Sequence, residues 1–417
     1  MLTEPIPSEP IPSEPIPSEP IPTEPMLAAP RCRCCGSTRG DVVLDLGRQP
    51  SSEYFPALAD PGPDPVAPLR LWLCAGCRLA QLADRARLPE DPVGLEPAAL
   101  ATQRGAALDW LVESGLVCPG ARVAEFGSPH GGSFAELLAG RGMALAGHDE
   151  AADVVLDGCF GLMHAADQGA ALRRRVARLR PGGRLVLQFH SLAAILRGGQ
   201  WNMLRHGHFG YYSTPALCGL LGRLGLTAVG ARRFPLYGGT VCLVATGDPD
   251  PDLLAGPAAT ELLDVLGWER AAGVSNVAAL RGLQTVAART SAELRAFVQG
   301  ECARGARVYG YGAASRAVAL LNLAGLSDGA LLGIADAAPA KQGSRMPGTR
   351  IPVISPAELA DPDPDVVLVF VPELLAQARA AVPRIELGGG RWVDAAAPDL
   401  GRPYRIDGVA PRAAAVN

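Results

Sequence analysis

Lysine is almost missing from this chain of 417 residues: Lys341 is the single one, and every other basic residue is arginine. With Ala, Gly and Pro abundant, that bias marks a GC-rich coding background, so arginine carries little information and Lys341 carries much. Charge is sparse, at 19% Asp, Glu, Lys and Arg with a net charge of −4. That leaves no broad basic face and argues against nucleic acid as a partner. No apolar run approaches the roughly 18 residues of a membrane span, and no charged-then-apolar leader opens the chain. The expectation is a cytoplasmic protein with no membrane partner. Ten cysteines in this length are no disulfide scaffold. What is present in quantity is apolar: 48% hydrophobic residues are ample for buried cores, and the length suits two or three domains.

Residues 1–26 are dominated by a repeated Glu-Pro-Ile-Pro-Ser unit. Proline at every second or third place removes amide donors and fixes φ, so an extended, solvated tail is expected. Residues 27–94 lack helical periodicity and hold the first five cysteines. Residues 95–250 alternate helical stretches with strand-like runs at Arg122–Phe126, Leu145–Gly147, Asp153–Leu156 and Arg184–Phe189. The Gly247-Asp-Pro-Asp-Pro-Asp252 stretch then reads as a hinge opening a last unit, 251–417. There, apolar spacing from Val277 to Val298 predicts a long helix, and Arg307–Gly310, Leu331–Asp336, Asp365–Val371 and Arg391–Val393 read as strands. The fold class is α/β, with a small N-terminal module and two tandem units, each expected to carry a parallel sheet.

Cys32, Cys35, Cys74 and Cys77 form two close pairs about 40 residues apart. A C-x-x-C turn brings two thiolates to one side of a metal, and two such knuckles complete tetrahedral zinc. Four cysteine ligands leave no open position, so the zinc is expected to be structural and to replace a core that some 60 residues build with difficulty. The alternatives are a reducible disulfide pair, buried thiols or a nucleic-acid-binding ribbon.

Glu125-Phe-Gly127-Ser128-Pro-His-Gly131 follows a strand and precedes an apolar helix, and Asp149 ends the next strand. A glycine turn lets a ligand approach the carboxyl edge of a sheet, and one carboxylate can accept from both hydroxyls of a ribose. Glu125 before the first glycine tilts the reading toward S-adenosylmethionine. A nucleotide oxidoreductase turn and a turn that only packs are the alternatives. All six histidines, at 130, 148, 164, 190, 206 and 208, fall in this unit, which reads as site chemistry. His206 and His208 are expected to point the same way on an extended backbone, with no third metal ligand at a suitable spacing. Later, Tyr309-Gly-Tyr311-Gly-Ala-Ala-Ser-Arg316 and Asp336 resemble a dinucleotide fingerprint without its third glycine. Bound NAD, capture of part of an acceptor near a phosphate, and pure packing are the readings. Lys341 is either directed to a phosphate or an ordinary surface charge.

Together these residues resemble the sugar-nucleotide C-methyltransferases of antibiotic deoxysugar pathways. The likeness covers essentially everything after the tail. It includes the cysteine knuckles, Glu125 to Ser128, His206 to Phe209, Gly238-Gly239, the Tyr309–Arg316 run, Leu320-Leu-Asn322, Ala340-Lys-Gln-Gly343 and Met346–Pro352. The resemblance implies a zinc module, a Rossmann-like S-adenosylmethionine domain and a second Rossmann-like domain that encloses the acceptor. It also implies a nucleotide-linked 4-keto sugar whose C3 proton a histidine removes before the enolate takes the methyl group. By the resemblance His208 is the base, with His164 and His206 assisting. Glu125, Gly127, Ser128, Gly131 and Asp149 hold the cofactor, and Arg205, Tyr212, Gly238, Gly239, Tyr311 and Lys341 meet the acceptor.

The departures are many. The family's Tyr-His-Glu-His segment is Arg205-His-Gly-His208, and its Ser-Asn-Asp-Gly loop is Ser128-Pro-His-Gly131. An Asn pair has become Cys159-Phe160, a strand-end carboxylate Gln188, an arginine Cys242, and His-Gly-Gly-Ser reads Tyr237-Gly-Gly-Thr240. Loss of an acid/base partner typically costs 10²–10⁴ in rate when the chemistry is unchanged. Several such changes together point to a different acceptor or methylated atom. O- or N-methylation, or a silent binding homologue, are the rival readings.

Overall fold

The computed structural model describes residues 29–86, 88–89, 98–361 and 363–396; the tail expected over 1–26 lies outside them. Fifteen strands make three sheets among the described residues. The first joins β1 (Gly40–Pro50), β2 (Val66–Cys74) and β3 (Ala80–Leu82) in antiparallel order. Its fourth strand comes from far along the chain: β8 (Gly210–Tyr211) pairs antiparallel with β3. The sheet of the knuckle region therefore takes its fourth strand from the next unit.

The second sheet runs β5-β4-β6-β7-β10-β9. Its strands are β4 (Arg122–Glu125), β5 (Ala144–Leu145), β6 (Ala152–Asp157), β7 (Leu179–His190), β9 (Thr227–Phe234) and β10 (Thr240–Thr246). β5, β4, β6 and β7 are mutually parallel, but β10 runs antiparallel to both neighbours, so the expected all-parallel sheet is a mixed one. The cause is local. Only Pro235 to Gly239 separate β9 from β10, too few residues for a crossover, so the chain must reverse as a hairpin. Alternation places Val154 and Leu156 on one face and Val155 on the other. The first face packs helix α1 (Ala98–Glu113) through Leu108 and Leu111, and α2 (Ala135–Ala139) through Leu138. The second packs α3 (Gln168–Val176) through Leu172, together with Trp72 of β2 and Leu79 of the β2–β3 turn.

After α4 (Leu192–Gly198), α5 (Thr214–Gly222), α6 (Pro251–Ala255) and α7 (Pro257–Ala271) comes α8 (Val277–Ala303). Asn276 caps α8 by accepting from the amides of Ala278 and Ala279, which explains its abrupt start. Leu280, Leu283, Ala287, Leu294 and Val298 form its buried stripe. They join Leu44 and Leu46 of β1 to Val318 and Leu321 of α9 (Ser315–Ala324) in one core. α8 thus fastens the first sheet to the last unit. A bidentate pair between Arg345 and Asp64, 2.7 Å on each arm with both side chains buried, fastens them again.

The third sheet is wholly parallel. It runs β13 (Val353–Ile354), β12 (Ile334–Ala335), β11 (Val308–Tyr311), β14 (Val366–Val369), β15 (Arg391–Asp394). That order reverses beside β11, and a switch point of this kind opens a crevice at the strand ends. No helix among the described residues is long and apolar enough to cross a membrane.

Candidate active site

The four knuckle cysteines come together in one cluster. Cys32 Sγ lies 3.5 Å from Cys77 Sγ, and Cys35 Sγ lies 3.6 Å from Cys74 Sγ. Four sulfurs around zinc at 2.3 Å stand roughly 3.8 Å apart, so the set fits the ion. Amides of Cys34 and Cys35 point at Cys32 Sγ and the Gly76 amide at Cys74 Sγ, stabilising thiolates. The neighbouring Cys77 thiol and those amides hold Cys32 down to about 4. Cys34 is outside the set, and burial pushes its thiol up to about 11.

A cleft of about 570 Å³ opens where the second and third sheets face each other. Its floor is the carboxyl edge of the second sheet: Ser128 and Gly131 beyond β4, Cys159, Phe160 and His164 beyond β6, and His190 at the end of β7. At Gly127 and Gly131 an added Cβ would meet nothing within 4 Å, so the turn keeps open space in front of its backbone. Gly131 has φ +77, which only glycine adopts without strain.

Three imidazoles converge on this floor. His130 and His164 have ring centroids 4.8 Å apart, His164 and His208 4.7 Å, and His130 and His208 6.3 Å. Burial pulls His164 down to about 3, helped by the charges of His130 and Arg205. Burial, then Arg205, hold His208 well below the ordinary imidazole range. The Nε of Arg205 donates to His208 Nε2 at 2.8 Å, while Nη1 holds Glu53 Oε1 at 2.7 Å and the Ser315 hydroxyl.

The opposite wall is the third unit. The β11–α9 turn supplies Tyr311, Gly312, Ser315 and Arg316, and Asp336 and Lys341 stand beside them. Arg316 is paired with Glu373 at 2.6 Å. Lys341 is no ordinary surface charge: its side chain is 14% exposed. Its Nζ donates to the Ala313 carbonyl at 2.8 Å and lies 4.9 Å from the Phe55 ring centre.

Several expected site residues lie elsewhere. His206 does not share the direction of His208, because Gly207 at φ +79 and the His208 amide, directed at the Arg205 carbonyl, make the segment a turn. The His206 ring faces away and meets the Pro68 carbonyl at 3.2 Å. Tyr212 is core, 2% exposed with its hydroxyl on Gln168. Gly238 and Gly239 form the β9–β10 hairpin turn, where a Cβ would strike Gln200 and Ala194; the cleft residue of that turn is Tyr237. Glu125 spends both oxygens on its own loop, accepting from the Phe134 amide and the Ser133 hydroxyl at 2.7 Å each. Asp149 lies outside the cleft wall, with its side chain 95% exposed and hydrogen-bonded to His148. Gln188 and Cys242 are cross-strand partners on β7 and β10, so these two departures from the family pattern face one another in the sheet. Sequence reasoning counted His190 only among the clustered histidines, with no role of its own, and passed over Glu53 as a cleft residue. A strand-end position was the available signal for His190, and nothing local marks Glu53.

Residues 235–396 match the family model described as "C-methyltransferase C-terminal domain", and residues 32–89 the one described as "Putative zinc binding domain". The C-methyltransferase NovU of Streptomyces niveus is 30% identical over 239 residues, 56% of this chain and 54% of its own length. The chain thus spans about half the length of that relative. Two solved structures also resemble it, each at 16% identity and a TM-score of 0.24. One is a 1,6-didemethyltoxoflavin-N1-methyltransferase from Burkholderia thailandensis with S-adenosylhomocysteine, covering 41% of this chain and 96% of its own. The other is an S-adenosylmethionine-dependent methyltransferase from Geobacter sulfurreducens with S-adenosylhomocysteine, covering 39% and 94%.

Proposed function

We propose, from the premise that this chain is a divergent member of the family joining a zinc-binding domain to a C-methyltransferase C-terminal domain, that it methylates carbon beside a ketone in a small-molecule acceptor. A nucleotide-linked 4-keto sugar is the leading acceptor. The observation that carries this reading is the His164–His208 pair, 4.7 Å apart on the cleft floor between the open Ser128–Gly131 turn and the Tyr311–Arg316 wall.

S-adenosylmethionine, when bound, supplies the electrophilic methyl group. Ser128, Gly131 and Phe160 are the residues placed to hold it, with Glu125 acting behind them by fixing the loop. Asp149 would serve the ribose only if its exposed loop turned inward. Across the cleft, the α9 N-terminus, Ser315 and Lys341 suit an anionic part of the acceptor.

His208 is the proposed base and His164 its partner. Burial and Arg205 keep His208 unprotonated at neutral pH, and its Nε2 lone pair, which accepts from Arg205 Nε at 2.8 Å, takes a proton from carbon once Arg205 releases it. The same environment makes the imidazolium a strong acid. A proton taken from carbon is held only while the enolate's negative charge stands beside it. An acceptor phosphate against Arg205 would ease that cost by offsetting its charge.

The test is exchange of the acceptor's C3 proton with D₂O in the absence of donor. Exchange in the wild type that disappears in His208→Ala supports the reading. Turnover surviving in His208→Ala, or donor failing to bind in calorimetry, overturns it. O- or N-methylation would leave C3 unexchanged while the donor still binds.

A further inference from the structure

The cleft floor brings together three imidazoles carried by three separate loops. We propose that His130, His164 and His208 form a second metal site, apart from the cysteine set, for a divalent ion of borderline hardness such as Zn²⁺.

One ring nitrogen from each residue lies within 4.8 Å of the other two. Around zinc at about 2.05 Å, tetrahedral nitrogens stand roughly 3.3 Å apart. The trio must therefore close by about 1.5 Å at its widest pair. His130 is the residue able to move: it is exposed, and the adjoining Gly131 has empty space around it. His208 is buried and set by the turn at Gly207.

The donor set is three imidazoles without a carboxylate, which suits zinc, iron(II), nickel or copper and not magnesium or calcium. Metal-bound histidines ordinarily anchor their second nitrogen on a carbonyl or carboxylate. The Gly207 backbone is the group beside His164 available for that role. All three rings line the cleft, so the remaining coordination position faces its interior. Three protein ligands with one open position is the arrangement of catalytic zinc.

The opposing term is the guanidinium of Arg205. Loading requires its Nε to release His208, while Nη1 keeps Glu53 and Ser315; Glu53 offsets the charge that remains. An ion here also takes a lone pair that His208 would use as a base. Metal occupancy and the base role of His208 therefore belong to different states of the chain, the metal-loaded one being inactive in methyl transfer, and separate experiments read them.

The test uses the full chain with its cysteine set loaded, titrated with Zn²⁺ in calorimetry and checked by metal analysis. Two ions per wild-type chain are expected. His130→Asn and His164→Gln should each lose about 100-fold or more in affinity for the second ion while retaining the first. His206→Asn should keep both. Circular dichroism confirms that the variants are folded. One ion per wild-type chain, or a second ion held equally by both variants, overturns the proposal. The readout needs no turnover, so its failure is distinct from failure of the methyl-transfer reading.

Discussion

Arg205 donates from Nε to His208 Nε2 at 2.8 Å and from Nη1 to Glu53 at 2.7 Å, so one guanidinium ties the proposed base to the knuckle-bearing unit. Arg205→Met keeps the apolar stem and removes the charge. Burial still disfavours the imidazolium, but the repulsion that adds to it is gone, so His208 titrates higher. Because protonation silences a base, the acid limb of kcat/KM should move to higher pH. An unmoved acid limb would separate His208 from the titration that governs the rate.

Gly161 is the second test point. A Cβ there would come within 2.2 Å of the Gly127 carbonyl, and the Gly161 amide donates to Asp157 at 2.7 Å. Gly161→Ala must push the cofactor turn aside. The expected cost is about 1–3 kcal/mol of stability, with donor affinity falling roughly tenfold, equivalent to about 1.4 kcal/mol. Calorimetry with S-adenosylmethionine checks it, and unchanged affinity would move the donor away from this turn.

The knuckles make a paired prediction. Cys32→Ala should release the structural zinc and melt the sheet built on β2 and β3, since a lost zinc site typically unfolds a small module. Cys34→Ala should keep the wild-type zinc count and near-native stability, because that thiol is no ligand. Metal content and thermal melting read both. An unchanged zinc count in Cys32→Ala, measured against the wild-type chain, would break the assignment.

Glu269 is fully buried, accepting from the Ser191 hydroxyl at 2.8 Å and the Thr214 amide at 2.5 Å. Burial raises its carboxyl to about 7. A raised folded-state value favours the protonated form. Its contribution is intact below the ordinary value of 4.5 and is lost as pH climbs through about 7. The loss is up to about 3 kcal/mol. Glu269→Gln can keep both contacts and should flatten stability between those limits. Chemical denaturation of both proteins across that range decides it.

What the sequence made legible is what short spacings determine. Cys32, Cys35, Cys74 and Cys77 announce their knuckles because each pair lies in one turn, and α8 announces itself by a stripe recurring every three or four residues. The antiparallel β10 was legible too, had the short Tyr237-Gly238-Gly239 link been read as a hairpin turn in place of an acceptor loop. The cleft was not. His130 meets His164 and His208 only because the strand ends of one sheet converge, and Glu53 reaches Arg205 from a different sheet. His206 was misjudged for a smaller reason: Gly207 turns the backbone, and an alternation rule applies only to extended chain.

The pairing of β3 with β8 has a consequence for the order in which the protein is made. All four knuckle cysteines are in the chain once residue 77 is synthesised, yet the strand that finishes their sheet is Gly210–Tyr211, some 130 residues later. At ribosomal speeds of about 5–20 residues per second, that wait is on the order of ten seconds. Through it the nascent edge at Ala80–Leu82 stays unpaired, and metal already captured by the thiolates would be what keeps it in shape.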